Sequence, residues 1–414
     1  MPTPLIAPQP RIGIVDALRG SALAGILLLH SIEHFDFLRY PPFPPAWLRT
    51  LDLHTKDIAF FLFGGKSYAI FAMMFGLSFF LIVDRAAKRG VDFRWRFLWR
   101  LGVLAIIGYI HSLLYCGDIL SMLAVMGLPL VLFYNVDRRI LAWVSFILLL
   151  QVPFLWQLGR ALLEQGYAPP PGHSGRYYGP LMNLFANNGL SDVVRGNAVN
   201  GNIAKWWWSI DNGRCLQMWG LFVLGLWLGR SRVFETPAAY VKLATRALII
   251  GAIGFAIFYT AEVNLNAWLP AGSVRRVTAR LVNSYGDFFQ MLVWAGGFVL
   301  LYHFTRFKRV LELLVPFGRM SLTCYITQAL IWVPFYYHFG LGMFRHLGQF
   351  YSILCGAGFL VLQIAVAHWW IKRFAYGPFE WLWRCGTLLT FKVPFRRPAE
   401  VTQRTPSLSP AAVS

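Results

Sequence analysis

Apolar runs of about twenty residues recur from near the start of this chain almost to its end, and they decide what it can fold into. A hydrocarbon layer roughly 30 Å thick is crossed by about 20 mostly apolar residues. Ten windows meet that requirement: 14–34, 58–83, 97–115, 118–135, 140–158, 215–233, 243–262, 282–304, 314–337 and 350–372. Each is bounded by charge, proline or glycine. The expected fold is therefore all-α, a polytopic integral membrane helix bundle of about ten transmembrane helices. Its divisions would be an N-terminal segment 1–13, a single membrane domain 14–393 and a polar, proline-rich tail 394–414 expected to be disordered. With 57% hydrophobic, 17% aromatic and 14% charged residues, the 414 positions do not have the balance of two or three soluble domains.

A net charge of +20 would suggest nucleic acid in a soluble protein. Here the basic residues alternate with the spans, and no soluble basic domain exists to hold DNA or RNA. We read the charge as topology, with attraction to anionic head groups of the lipid bilayer and to an anionic cosubstrate. With the N-terminus in the cytoplasm, the inner segments carry Arg11, Arg85, Lys88, Arg89, Arg94, Arg96, Arg100, Arg138, Arg139, Arg230, Arg306, Arg319, Lys372 and Arg373. Arg275, Arg276 and Arg280 are the outer exception. This places both termini in the cytoplasm, with the first span an uncleaved anchor. The five cysteines show no paired spacing, so neither a zinc site nor a disulfide framework is indicated. The long connection 160–213 falls outside, and Trp206, Trp207 and Trp208 suit a belt at head-group level or a platform for sugar stacking.

Ionisable side chains in the middle of a membrane cost at least about 2.5–3.5 kcal/mol on insertion scales, so they point to a cavity or a partner. At about 100° per residue, Arg19 and His30 come within roughly 20° of one face, about 16 Å apart along the axis. Asp16 and His34 fall on that face too. The edge must face the bundle interior, where His30 is either a hydrogen-bonded core residue or a general base. Lys66 follows a glycine pair; a helix starting near Asp57 would carry it about 13 Å inward to the depth of His30, whereas one starting at Ser67 would let it snorkel. His111 and Asp118 share a face if their helix continues, while Asp118 would otherwise cap the next span. Asp287 and Gln290, and Ser321, Thr323, Tyr325 and Gln328, add polar atoms to later spans. No phosphate-binding loop, dinucleotide glycine motif or zinc-protease motif stands in a credible context, and His30 with His34 lacks further ligands, so no metal is expected.

Five ordered segments, RIGIVDALRGSALAGILLLH, GGKSYAIFAMMFGLSFF, HSLLYCGDILSMLAVMGL, GRMSLTCYITQALI and RFAYGPFEWLWR, resemble the YeiB-like bacterial membrane proteins, a domain of unknown function. That family is similar to a wider group of transmembrane acyltransferases, including the acyltransferase-3 enzymes that O-acylate surface glycans and the lysosomal heparan glucosaminide acetyltransferase. In the acyltransferase-3 group a basic residue in the first span precedes a histidine by eleven positions, the spacing of Arg19 and His30. Many YeiB-like relatives resemble this chain but carry asparagine at the His30 position; the histidine departs toward the enzymatic pattern.

The resemblance implies an acyltransferase taking an acyl group, acetyl above all, from cytoplasmic acyl-CoA. The acceptor would be a sugar hydroxyl or amine of an envelope glycan or glycolipid. His30 would be the base or acyl carrier, with Glu33 or Asp118 fixing its tautomer. Arg19, Arg319 and Lys66 would bind the cosubstrate. A transporter or flippase would use the same polar edge as a pathway, and a non-catalytic scaffold or sensor would need His30 only as structure.

Overall fold

The computed structural model describes residues 12–396; the expected cytoplasmic segment 1–13 and tail 394–414 fall almost wholly outside the described residues. Within them the chain is helical, and the only bridge between extended residues joins Phe374 to Arg396. The N-terminal part runs through α1 (Gly13–Ile32), α2 (Ala46–Phe63), α3 (Lys66–Ala87), α4 (Arg94–Leu114), α5 (Leu120–Gly127), α6 (Arg138–Leu149) and α7 (Val152–Leu163). The long connection is mostly helical: α8 (Gly175–Asn187), α9 (Leu190–Gly196), a π-helical turn and α10 (Asn202–Asp211). The remainder comprises α11 (Arg214–Arg230), α12 (Pro237–Trp268), α13 (Ser273–Phe304), α14 (Lys308–Glu312), α15 (Leu314–Arg319), α16 (Ser321–Tyr336), α17 (Gln349–Arg373) and α18 (Pro378–Leu388).

This is a multi-pass membrane bundle, but the ten expected spans are not all continuous helices. Five stretches are long and apolar enough to cross a bilayer: Gly13–Ile32, Ala46–Ala87, Arg94–Leu114, Pro237–Trp268 and Gln349–Arg373. Two bent pairs, α6 with α7 at 44° and α13 with α14–α15 at 112°, bring the number to as many as seven if each pair is one broken span. Run 118–135 is a short helix ending in a 3-10 turn, run 215–233 holds a helix of 17 residues, and run 314–337 breaks at Met320. Hydropathy counts apolar residues and cannot see these interruptions. The outward face of α12 is what a lipid-facing helix should be: Ile249, Ile250, Ile253 and Ile257 are each more than half exposed. In water that stripe would be costly; hydrocarbon removes the cost.

Close approach of backbones sets the positions that matter for function. A Cβ on Gly20 would lie 2.4 Å from the Leu314 carbonyl oxygen, and one on Gly318 would lie 1.9 Å from that of Asp16. Only hydrogen fits at these crossings, so α1 and α15 touch, as small residues allow in membrane bundles. Because Arg19 and Arg319 are the neighbours of these glycines, the crossing brings two arginines from distant parts of the sequence together.

Candidate functional site

The polar edge of α1 is present, and it divides between two cavities. At its lower end Arg19 donates to Asp16 at 3.0 Å and to the Ser78 hydroxyl at 2.7 Å. Eleven residues on, His30 lines a chamber of about 980 Å³ together with Glu33, Asp36, Lys66, Tyr68, Asp118, Lys205, Trp208, Arg214, Asp287 and Tyr325. The imidazole is about one-fifth exposed; its Nδ1 lies 3.4 Å from a Glu33 carboxylate oxygen. The Tyr115 hydroxyl approaches both ring nitrogens, at 3.2 and 3.3 Å. Glu33 is thus near enough to orient the ring, as a carboxylate orients a catalytic imidazole.

After Ile32 the chain takes three successive left-handed residues, His34, Phe35 and Asp36, with φ of 50°, 56° and 61°. That conformation is uncommon outside glycine. It turns Asp36 back beneath α1, so that ligand atoms of His30, Glu33 and Asp36 all lie within 4.8 Å of one another. Such a set could hold a cation. His34, expected on the same face as His30, sits past the helix end instead. It is fully buried, stacked on Tyr336 at 4.3 Å, and hydrogen-bonded to the Arg39 carbonyl and the Ser352 hydroxyl.

Asp118 lines the chamber but is engaged by groups other than His30. It accepts from the Leu120 and Ser121 backbone N–H groups and the Ser121 hydroxyl, at 3.1, 2.9 and 2.7 Å. His111 Nδ1 lies at 2.9 Å and Lys205 Nζ at 3.8 Å. It is therefore both the cap of α5 and the partner of His111, and it is not placed to fix the tautomer of His30. Lys66 neither descends a continuous helix from Asp57 nor snorkels. It is the first residue of α3, buried, donating to the Phe60 carbonyl at 3.2 Å and paired with Asp287 at 3.0 Å. Arg214 holds the other Asp287 oxygen at 3.4 Å. The break itself needs glycine twice over: Gly65 has φ +74°, and a Cβ there would meet the Asp287 carboxylate at 1.9 Å.

The second cavity, about 280 Å³, lies at the Arg19 end of α1. Arg19 and Arg319 line it, joined by Arg85, Arg100 and Arg384. Two of the late sequence segments build its wall. Glu380 of α18 accepts from the Leu322 and Thr323 N–H groups at 2.7 and 3.1 Å, tying α18 to the start of α16.

The two cavities share helices. On α16, Leu322 lines the arginine chamber and Tyr325 the His30 chamber; on α3, Phe71 and Tyr68 do the same. Residues three positions apart, about 4.5 Å along each helix axis, thus border different cavities. The Ile119 N–H donates to the Tyr325 hydroxyl at 3.1 Å, pinning Tyr325 where α5 begins.

Sequence reasoning did not single out Lys205, Arg214 or Tyr115. Lys205 precedes the tryptophan triplet and passes for an interfacial lysine, but it is buried and donates to Ser121 at 2.9 Å. Of the triplet, Trp206 packs on the core, Trp207 stacks on His173 at 4.3 Å and Trp208 lines the chamber. Nearby, Asp211 anchors the connection by accepting from the His173 and Ser174 N–H groups at 2.7 and 3.0 Å. Partial desolvation pushes its carboxyl pKa up, but those backbone donors outweigh it and hold the group below its ordinary value.

Comparison with known proteins points the same way as the five segments. Residues 228–390 match the family described as "Protein of unknown function (DUF418)". The chain is 28% identical to "Uncharacterized protein YeiB" of Escherichia coli (strain K12), over 90% of its own length and 95% of the relative's. It is 27% identical to "Uncharacterized protein YxaH" of Bacillus subtilis (strain 168), over 92% and 95%. A "39.9 kDa protein in amylase 3'region" of Bacillus acidopullulyticus matches at 25% identity over the same shares. The chain is thus similar along nine-tenths of its length to the YeiB and YxaH proteins, and its second half matches the family of unknown function.

Proposed function

We propose that this protein is a transmembrane acyltransferase. It would pass an acyl group, acetyl above all, from cytoplasmic acyl-CoA to a sugar hydroxyl or amine of an envelope glycan or glycolipid. The observation that carries the reading is the placement of His30: its imidazole borders a large chamber, and helices α3 and α16 that line this chamber also line a second one rich in arginines. The distribution of lysine and arginine supports a plasma-membrane protein with both termini and the arginine chamber on the cytoplasmic side.

In this mechanism the acceptor enters the His30 chamber and the thioester reaches it from the arginine chamber. His30 removes the acceptor proton as its oxygen or nitrogen attacks the thioester carbon; the C–S bond breaks, and the proton passes from the imidazolium to the departing thiolate. Glu33 holds the ring and stabilises its protonated form. Lys66, paired with Asp287 in the acceptor chamber, serves the walls of that chamber and not the donor. The test is transfer of labelled acetyl from acetyl-CoA by purified protein to amino-sugar and hydroxyl acceptors. His30→Asn should lower the rate by roughly a hundredfold to ten-thousandfold. Equal labelling by both proteins would exclude the mechanism.

One observation favours a transporter as a second reading: α2 and α3 are broken at Gly64–Gly65 beside the buried Lys66–Asp287 pair, and broken helices bearing ion pairs occur in transport proteins. Uptake of unmodified glycan precursor into proteoliposomes, unaffected by His30→Asn, would decide for it.

A further inference from the structure

We infer that the arginine chamber is a binding site for a phosphate or diphosphate group, built chiefly by Arg85, Arg100 and Arg384. This deepens the donor half of the acyltransferase reading and rests on it only for the identity of the molecule that carries the phosphate. The charge lining this chamber is unbalanced. Five arginines line the cavity against two carboxylates, Asp16 and Glu380. Asp16 is paired with Arg19, and Glu380 is engaged by the N–H groups that open α16. Among the described residues no carboxylate lies within ion-pair distance of Arg85, Arg100 or Arg384, although all three are half-buried; Glu380 acts on Arg100 only from farther off, against the nearby charge of Arg384.

Half-buried cations lose hydration and repel one another unless an anion joins them. Two of the three are also held in place. The Arg100 guanidinium stacks on the Trp383 ring at 3.4 Å, and that of Arg384 lies over Tyr376 at 4.5 Å. Stacking fixes the plane of a guanidinium and leaves its N–H edge free, the arrangement that recognises phosphate oxygens in pairs. Arg100 comes from α4, Arg384 from α18 and Arg85 from the end of α3, so the site exists only in the folded bundle. A cavity of about 280 Å³ has room for a diphosphate. The larger remainder of a carrier would extend through its mouth.

The same chemistry is offered by a soluble phosphorylated cosubstrate and by an anionic phospholipid head group, and the test separates them. Protein in phosphatidylcholine nanodiscs is titrated with pyrophosphate and with coenzyme A, and its melting is compared in discs containing phosphatidylglycerol. Wild type should bind both soluble ligands, more weakly as salt rises. Arg100→Gln with Arg384→Gln should weaken binding at least tenfold, while His30→Asn binds as wild type does. Without ligand the double variant should melt no lower than wild type, because it removes mutually repelling charges; Arg85→Gln alone replaces it should it fail to fold. Binding of pyrophosphate without coenzyme A upholds the site and removes the donor half of the acyltransferase reading. A response only to phosphatidylglycerol, lost in the variant, upholds the site with lipid as the source. No response to any of the three ligands, or equal affinity in wild type and the arginine variants, overturns it, and leaves acyl transfer to be judged by its own assay.

Discussion

Replacing Asp118 by alanine should destabilise the bundle more than any change at His30. The Asp118 carboxylate is inaccessible to solvent and gathers five donors: two backbone N–H groups, the Ser121 hydroxyl, His111 and Lys205. Removing one member of a buried pair leaves the other charge uncompensated, a cost of about 3–5 kcal/mol. Loss of the cap on α5 adds about 1 kcal/mol. The Lys205 contact is long at 3.8 Å, so the lower half of that range is expected, about 4 kcal/mol in all. In a thermal melt followed by near-ultraviolet circular dichroism this corresponds to a fall of roughly 5–10 °C. Combining Asp118→Ala with Lys205→Met should recover part of the loss, because the stranded ammonium goes too. A fall within about 1 kcal/mol of zero would show that the network does not carry the stability assigned to it. So would a double variant no better than Asp118→Ala.

Gly318→Val should separate α1 from α15, since its Cβ would start 1.9 Å from the Asp16 carbonyl oxygen; overpacking costs about 1–3 kcal/mol and should appear as a lower melting temperature. Zinc should inhibit transfer by occupying His30, Glu33 and Asp36, and Asp36→Asn should relieve the inhibition by at least tenfold in the zinc concentration needed. The carboxyl pKa of Asp211 is lowered in the folded protein, so its contribution to stability is complete above the ordinary value of 3.8 and is lost as pH falls through the folded value. Hydrogen exchange at His173 and Ser174 should accelerate in that acid range in wild type, and in Asp211→Ala should be fast already at neutral pH.

The parts of the site that the sequence made legible are those set by local geometry. Arg19 and His30 share one helix, and a rise of 1.5 Å per residue fixes their relation whatever surrounds them. His111 and Asp118 do meet, but not on one helical face: α4 ends at Leu114, and Asp118 reaches back to His111 from the start of α5. What was hidden depends on partners far along the chain. Lys205 reaches Asp118 from 87 residues away, and Trp383 meets Arg100 from 283 residues away, so spacing in sequence carries no trace of either. The helices interrupt the expected spans for a different cause. Windows of hydropathy register 58–83 and 314–337 as apolar but are blind to the backbone at Gly64–Gly65 and Met320, where the helices stop. The left-handed turn at His34–Asp36 had no glycine to announce it, which is why Asp36 was not counted beside His30.

The central claim is that His30 works between two compartments. Proteoliposomes of known orientation, given labelled acetyl-CoA on the arginine-chamber side and a membrane-impermeant acceptor on the other, test it most directly. The account requires label in the acceptor across the bilayer with wild type and at least a hundredfold less with His30→Asn. Label appearing only when donor and acceptor share a side, or equally with both proteins, would contradict it.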